Sequence, residues 1–188
     1  MIVLRTPYGE DKLLIWKLKA GSKDALCRTY EKYRNDLLKL AASLLNDTGA
    51  AEDIVHDCFV TLAQSTDKLK LGGNLKGYLA VCVANRVRNR NKAGRRQEAV
   101  GLDEAGAAGP GSKRPEQWII NNERFRLLNN ALARLPYQQR EVVVLHAQAG
   151  MKFKAIAGLQ DVSINTAQSR YRYGLDKLRS ILDGEAKL

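Results

Sequence analysis

Thr166, Gln168, Ser169, Arg170 and Arg172 put two guanidiniums, an amide and two hydroxyls into one seven-residue stretch. These groups make and break no bonds on their own. They donate and accept hydrogen bonds, the chemistry by which a helix reads a DNA major groove. Carboxylates gather elsewhere. Between Lys39 and Lys68 there is no Lys or Arg, while Asp47, Glu52, Asp53, Asp57 and Asp67 accumulate. From Lys68 to Arg96 the sign reverses: no acid occurs, and Lys68, Lys70, Lys76, Arg86, Arg88, Arg90, Lys92, Arg95 and Arg96 follow one another. Asp53 and Asp57 lie one helical turn apart and share a face, as do Arg86 and Arg90. The acidic face suits a basic protein partner, and the basic helix end suits phosphates. Helix N-terminus complementation accounts for Glu52 and Asp53 and leaves Asp57 over.

No catalytic set accompanies these charges. The basic face has no carboxylate cluster, no glycine loop cradles a phosphate, and His146 stands alone in an apolar helix, where histidine is most often structural. Cys27, Cys58 and Cys82 occur singly, without a CxxC pair, and only His56 and His146 are near at hand as partners. They are expected to be reduced core residues; no metal and no cofactor is expected. Lys plus Arg number 31 against 20 Asp plus Glu, a net charge of +11, so the chain is built to meet a polyanion. A membrane surface is the competing polyanion, but no run of about 18 apolar residues is present. The expectation is a soluble, cytoplasmic protein without membrane insertion.

The positioning elements read as helices throughout. Lys152 to Arg179 reads as a short helix, a turn and a longer helix. Phe153, Ile156, Ala157 and Leu159 give the first an apolar side, Gln160 and Asp161 supply the turn, and Ser163 can cap the second. Along the second, Ala167, Tyr171, Leu175, Leu178 and Leu182 are expected inward. In the first half, Ser22 can cap a helix through Leu45 striped by Leu26, Tyr30, Tyr33, Leu37, Leu40 and Leu44. A second runs from about Ala50 to Gln64, and a third, capped by Asn74, through about Asn91. Trp118 to Leu135 is expected to form a helix ended by Pro136, which starts the next, ending at Gly150. The ends, Met1 to Asp11 and Asp183 to Leu188, are expected to fray.

Between the halves, Gln97 to Pro115 is rich in Gly and Ala and has too few large apolar residues to build a core. As a flexible coil it spans about 25 Å on average and about 60 Å stretched out, which would let the halves dock at separate places.

Three stretches together resemble the extracytoplasmic-function, or group IV, sigma factors of bacterial RNA polymerase. YEKYRNDLLKLAASLLNDTGAAEDIVHDCFVTLA and GYLAVCVANRVRNRNKAGRR are similar to the region-two domain, and LARLPYQQREVVVLHAQAGMKFKAIAGLQDVSINTAQSRYRYGLDKLRSIL to the region-four domain. The resemblance implies an all-α chain of two small helical domains: a region-two helical bundle over 10–96, a flexible linker over 97–115, and a region-four helix-turn-helix domain over 116–184. It implies partners too: core RNA polymerase through its beta and beta-prime subunits, promoter DNA, and an anti-sigma factor.

Roles follow residue by residue. Glu52, Asp53, His56 and Asp57 fall on the helix that docks on polymerase in the family. Lys68, Lys70, Asn74, Lys76, Asn85, Arg86 and Arg90 fall on the loop and helix that hold the melted minus-ten element. Thr166, Gln168, Ser169, Arg170 and Arg172 fall on the helix that reads the minus-thirty-five element. There Arg suits guanine edges and Gln adenine, with Ser and Thr on phosphates. The family binds core polymerase, directs it to two-element promoters and promotes initiation and strand opening without catalysing a reaction. The alternative is a helix-turn-helix regulator that is not a sigma subunit. It would need a dimer interface to span half-sites, whereas acidic helix and linker point to two unlike modules.

Overall fold

The computed structural model describes residues 7–45, 47–66, 74–100 and 123–185. Those residues form eight helices: α1 (Pro7–Lys19), α2 (Lys23–Leu45), α3 (Thr48–Gln64), α4 (Leu75–Val100), α5 (Glu123–Ala133), α6 (Tyr137–Ala147), α7 (Phe153–Gln160) and α8 (Ile164–Glu185). Local chemistry sets several starts. The Ser22 hydroxyl accepts from Ala25 N–H, the Asp47 carboxylate from Ala50 N–H, and the Asn74 amide oxygen from Gly77 N–H at 2.8 Å. Each satisfies a donor that the first helical turn leaves without a partner. A side chain on Gly77 would lie 2.6 Å from the Asn74 amide, so glycine there keeps room for the cap.

The first half is built around α2. Leu37, Leu40 and Leu44 pack with Val55, Cys58 and Leu62 of α3 and with Leu75, Leu79, Val83 and Val87 of α4, all buried. The apolar stripe on α2 departs from expectation at one point. Tyr30 is exposed, meeting the edge of the Phe59 ring at 4.8 Å. Cys27, expected in the core, is exposed as well, while Cys58 is buried and Cys82 half-buried.

The N-terminal segment is not frayed from Pro7 onward. Leu14, Ile15 and Leu18 of α1 are buried, and the buried Asp11 carboxylate accepts from Tyr33 Oη and, at 2.9 Å, from Lys32 Nζ. Helix α1 ends in a left-handed Gly21 (φ 73°), where Gly21 N–H reaches Leu18 O and Ser22 N–H reaches Lys17 O. Only glycine takes that conformation without steric cost.

Helix α4 runs past Asn91 to Val100 without a break at Gly94, because a lone glycine lowers helix stability without ending the helix. Residues 97–100 of the expected linker are therefore helical; the rest of it, and Trp118 to Asn122, lie outside the described residues. At the other end α8 continues through Asp183, also expected to fray.

In the second half α6, α7 and α8 close around Val142, Val144, Leu145, Ile156 and Ala167. Gly150 (φ 65°) lets Met151 N–H return to Leu145 O, and His146 Nδ1 pairs with Met151 O at 2.8 Å. The His146 ring stacks on Phe153 at 4.2 Å and meets the Tyr171 edge at 4.9 Å, which ties the three helices together as a structural histidine would. Leu175, expected inward, is exposed. The inward position is Gly174, where a Cβ would come within 2.9 Å of Val143 Cγ2. Helix α8 thus approaches α6 through a glycine, while Ala167, Tyr171, Leu178 and Leu182 keep the inward face expected of them.

The halves do not stand apart. One buried apolar cluster runs from Leu14 through α2–α4 into Leu132, Val143 and Ile156, with α2 packed on α5 and α6. Ser43 of α2 donates to Asn129 at 2.9 Å and accepts from Gln148 at 3.0 Å, both in the second half.

Candidate nucleic-acid interface

Ser163 sets the start of α8: its hydroxyl accepts from Thr166 N–H at 3.0 Å and pairs with the Thr166 hydroxyl at 2.8 Å. The turn before it passes through Asp161 in the left-handed region (φ 54°), where an aspartate is tolerated better than most side chains. Asp161 and Val162 N–H both return to Ala157 O, closing α7. From this start Thr166, Gln168 and Arg172 are exposed, and Arg172 lies 5.3 Å from the Tyr173 ring. Ser169 and Arg170 are half-buried. Arg170 Nη1 donates to Gln160 Oε1 at 2.7 Å, so this guanidinium is oriented by the preceding helix.

On α4, Asn85, Arg90 and Lys92 are exposed, Asn85 and Lys92 on one side and Arg90 on the other. Arg86 is engaged: Nη1 meets Asp57 Oδ2 and Nη2 the Asp57 carbonyl, each at 3.1 Å, and Nη2 also donates to Thr61 Oγ1. Lys76 pairs with Asp36 at 2.7 Å, and Asn74 is spent as the α4 cap. Lys68 and Lys70 lie outside the described residues.

Glu52, Asp53 and His56 line one groove of about 260 Å³ with Tyr30, Arg34 and Leu38 on α2. Asp57 does not join it; it faces α4. The acid that helix-end electrostatics left over is thus explained by Arg86. Beneath this junction, burial pushes the Cys58 thiol up to about 12 and raises Cys82 as well, and it pushes the Tyr78 phenol up to about 12. All three stay protonated at neutral pH. Among the described residues no group of three or more His, Cys, Asp or Glu could hold a metal ion, and no helix is long and apolar enough to cross a membrane.

Sequence reasoning gave no role to Arg88 or Glu141. Arg88 grips both oxygens of Glu141 at 2.7 and 2.6 Å across 53 residues, and Glu141 is 1 % exposed. Burial opposes the Arg88 charge, but the Glu141 carboxylate outweighs it and holds the guanidinium above its ordinary pKa. The legible signal was a single acid opening the apolar run Val142 to Leu145.

Comparison with known proteins resolves the class. Residues 29–97 match Sigma-70 region 2 and residues 125–178 match Sigma-70, region 4, in the order and on the halves expected. RNA polymerase sigma factor CarQ of Myxococcus xanthus is 27% identical over 172 residues, spanning 92% of this chain and 97% of its own. ECF RNA polymerase sigma factor SigW of Bacillus subtilis is 21% identical over 179 residues, 91% of this chain and 96% of its own. The chain belongs to the extracytoplasmic-function sigma factors of RNA polymerase. The fold agrees. The structure of CnrH in complex with the cytosolic domain of CnrY superposes with a TM-score of 0.64 at 21% identity, over 93% of this chain and 97% of that one. RpoE of Bartonella quintana, in complex with the anti-sigma factor NepR, gives 0.63 at 23% identity, over 81% and 95%. A helix-turn-helix regulator that is not a sigma subunit is not favoured, because both regions match and the relatives are sigma factors.

Proposed function

We propose that the roles within this sigma factor divide along its two modules, 10–96 and 116–184. The α8 start reads the minus-thirty-five element, with Arg170 and Gln168 on base edges and Thr166, Ser169 and Arg172 on phosphates. Lys68, Lys70, Asn74, Lys76, Asn85, Arg86 and Arg90 hold the melted minus-ten element. The groove of Glu52, Asp53 and His56 takes the basic partner surface on the beta and beta-prime subunits, and Asp57, which faces α4, adds to that contact from outside the groove. What carries this reading is the α8 start, where a capped helix leaves Thr166, Gln168 and Arg172 exposed in one turn and a half.

The factor acts by binding alone. Capturing unpaired bases offsets the cost of unstacking, and no bond to a nucleotide changes. A cytoplasmic location follows, since polymerase and promoter are there. CnrH and RpoE were each solved with a second protein, CnrY and the anti-sigma factor NepR, and a comparable anti-sigma factor is proposed for this chain.

In vitro transcription with purified core polymerase on a promoter library tests the whole reading. Initiation from promoters sharing two elements is expected. Core binding without sequence-selective initiation would sink the promoter assignment.

A further inference from the structure

Helix α1 buries one side and leaves the other bare. Leu14, Ile15 and Leu18 are buried where α1 packs on α2, whereas Leu13 is 46 % and Trp16 67 % exposed, the indole more so than any other large apolar side chain among the described residues. At about 3.6 residues per turn, Leu13 and Trp16 form one outer strip, with Lys12 and Lys19 along one flank and Lys17 along the other. The two acids of α1 are spent elsewhere. Glu10 and Asp11 both bind Lys32 of α2 at 2.9 Å, which leaves the lysines of the outer strip no carboxylate on their own helix. Attraction to the helix C-terminus accounts for Lys17 and Lys19 and leaves the bare indole over.

An aromatic ring held among lysines takes bases by stacking and phosphates by charge, with little regard to sequence. An anionic membrane offers the same charge. The larger apolar face that would have to insert is already buried against α2, however, and the bonds from Lys32 and Tyr33 to Asp11 pin the helix there. Position favours a strand as well. Lys32 and Asp36 sit one turn apart on α2, about 6 Å along its axis. Lys32 holds the start of α1, and Asp36 holds Lys76 in the first turn of α4. Helix α1 and the start of α4, assigned above to the melted minus-ten element, therefore flank one side of α2. Trp16 lies about 8 Å further along α1 from Asp11, within reach of a single strand a few nucleotides beyond α4. We propose that Trp16, with Lys17 and Lys19, is a stacking platform for unpaired promoter DNA adjoining the minus-ten segment. The inference rests on the reading of the first module above and adds to it a contact outside α4 and the loop before it. A base stacked on Trp16 is one fewer to return to the duplex, so the platform favours the open strand without selecting its sequence.

A forked minus-ten probe, bare or extended at either end of its single strand by a short run of unpaired thymidines, tests this with the factor assembled on core polymerase. Extension at one end is expected to tighten wild-type binding at least about fivefold, the lower end of what one stacked base contributes. The gain should vanish in Trp16→Ala and survive in Trp16→Phe, while the bare probe binds all three alike. Far-UV circular dichroism confirms that each variant keeps its helices. An equal gain in Trp16→Ala, or no gain at either end, overturns the platform. A second measurement uses the full chain alone as Trp118→Phe, in which Trp16 is the sole indole and oligothymidylate is expected to quench its fluorescence. A blue shift with phosphatidylserine vesicles and no response to oligothymidylate would give the face to a membrane and overturn the proposal too. If no form binds the fork, quenching by oligothymidylate sustains the platform while the minus-ten reading fails, and without quenching both fall.

Discussion

Asp57 and Arg86 hold each other across α3 and α4, with Oδ2 and Nη1 3.1 Å apart and a second bond from Nη2 to the Asp57 carbonyl. By charge pattern the two residues belong to opposite tasks, one facing a protein and the other DNA. Folded, they are partners. Any phosphate that recruits Arg86 must displace Asp57, and any basic protein that recruits Asp57 frees Arg86. Asp57 is 59 % exposed and Arg86 33 %, so the ion pair is partly solvated and worth about 0.2–1 kcal/mol, and exchange is cheap.

Asp53→Arg and Asp57→Arg should therefore differ. Asp53 lies in the groove with Glu52 and His56, and its reversal is expected to weaken core-polymerase binding about tenfold, or about 1.4 kcal/mol. Asp57→Arg puts a like charge against Arg86 and is expected to disturb minus-ten binding more than polymerase binding. Fluorescence titration with core polymerase and with a forked minus-ten probe separates them. Equal losses on both would refute the division of that face.

Arg170 and Arg172 are expected to fail in different ways when cut back to alanine. Arg170, oriented by Gln160, should cost about 1–3 kcal/mol at one base pair and relax preference there. Arg172, exposed, should weaken all sequences alike and lower the salt slope by about one. A mismatch panel on the minus-thirty-five duplex at two salt concentrations gives both numbers. Uniform loss from Arg170→Ala would reassign it to a phosphate.

Gly174→Ala brings a helix-propensity gain of about 1 kcal/mol against an overpacking cost of about 1–3 kcal/mol. Because the added Cβ meets the buried, β-branched Val143 at 2.9 Å, a net loss of about 1 kcal/mol is expected by urea denaturation. A stabilised variant would mean that α6 and α8 slide apart easily.

Alkaline pH should loosen the anchor of α1. Burial and the bond to Asp11 hold the Tyr33 phenol above its ordinary 10.0. Burial opposes the Lys32 charge, but the bonds to Asp11 and Glu10 outweigh it and raise Lys32 above 10.5. Raised folded-state values mean that this stability is fully present below about pH 10 and is lost as pH climbs through the folded values. Tyr33→Phe should flatten that decline and cost about 1–3 kcal/mol near neutral pH, through loss of one bond to the Asp11 carboxylate, which keeps Lys32 as its partner. Denaturant midpoints between pH 7 and 11 decide it; an unchanged alkaline slope in Tyr33→Phe would contradict the assignment.

What the sequence disclosed was local. Ser22, Asn74 and Ser163 cap helices because a cap needs only its own next three residues. The order of the helices and the turn at Asp161 were legible for the same reason. Face assignments failed where a neighbouring element decides them: Leu175 was displaced by the close approach at Gly174, and Tyr30 lies at the edge of Phe59 rather than beneath it. Helix α1 stayed hidden because its buried acid is satisfied by Tyr33, 22 residues away. The Arg88–Glu141 pair, 53 residues apart, has no local pattern, and the linker between those residues reads as a reason for separation rather than contact.

The Ser43 hydroxyl waits for Gln148, 105 residues further along the chain. At synthesis rates of about 5–20 residues per second, α2 leaves the ribosome about 5–20 s before its covering helices exist. For that interval the side of α2 that α5 and α6 later cover is bare, and transiently exposed apolar surface of this kind is prone to aggregate. Slowing translation beyond residue 100 should lengthen that exposure and lower the soluble yield.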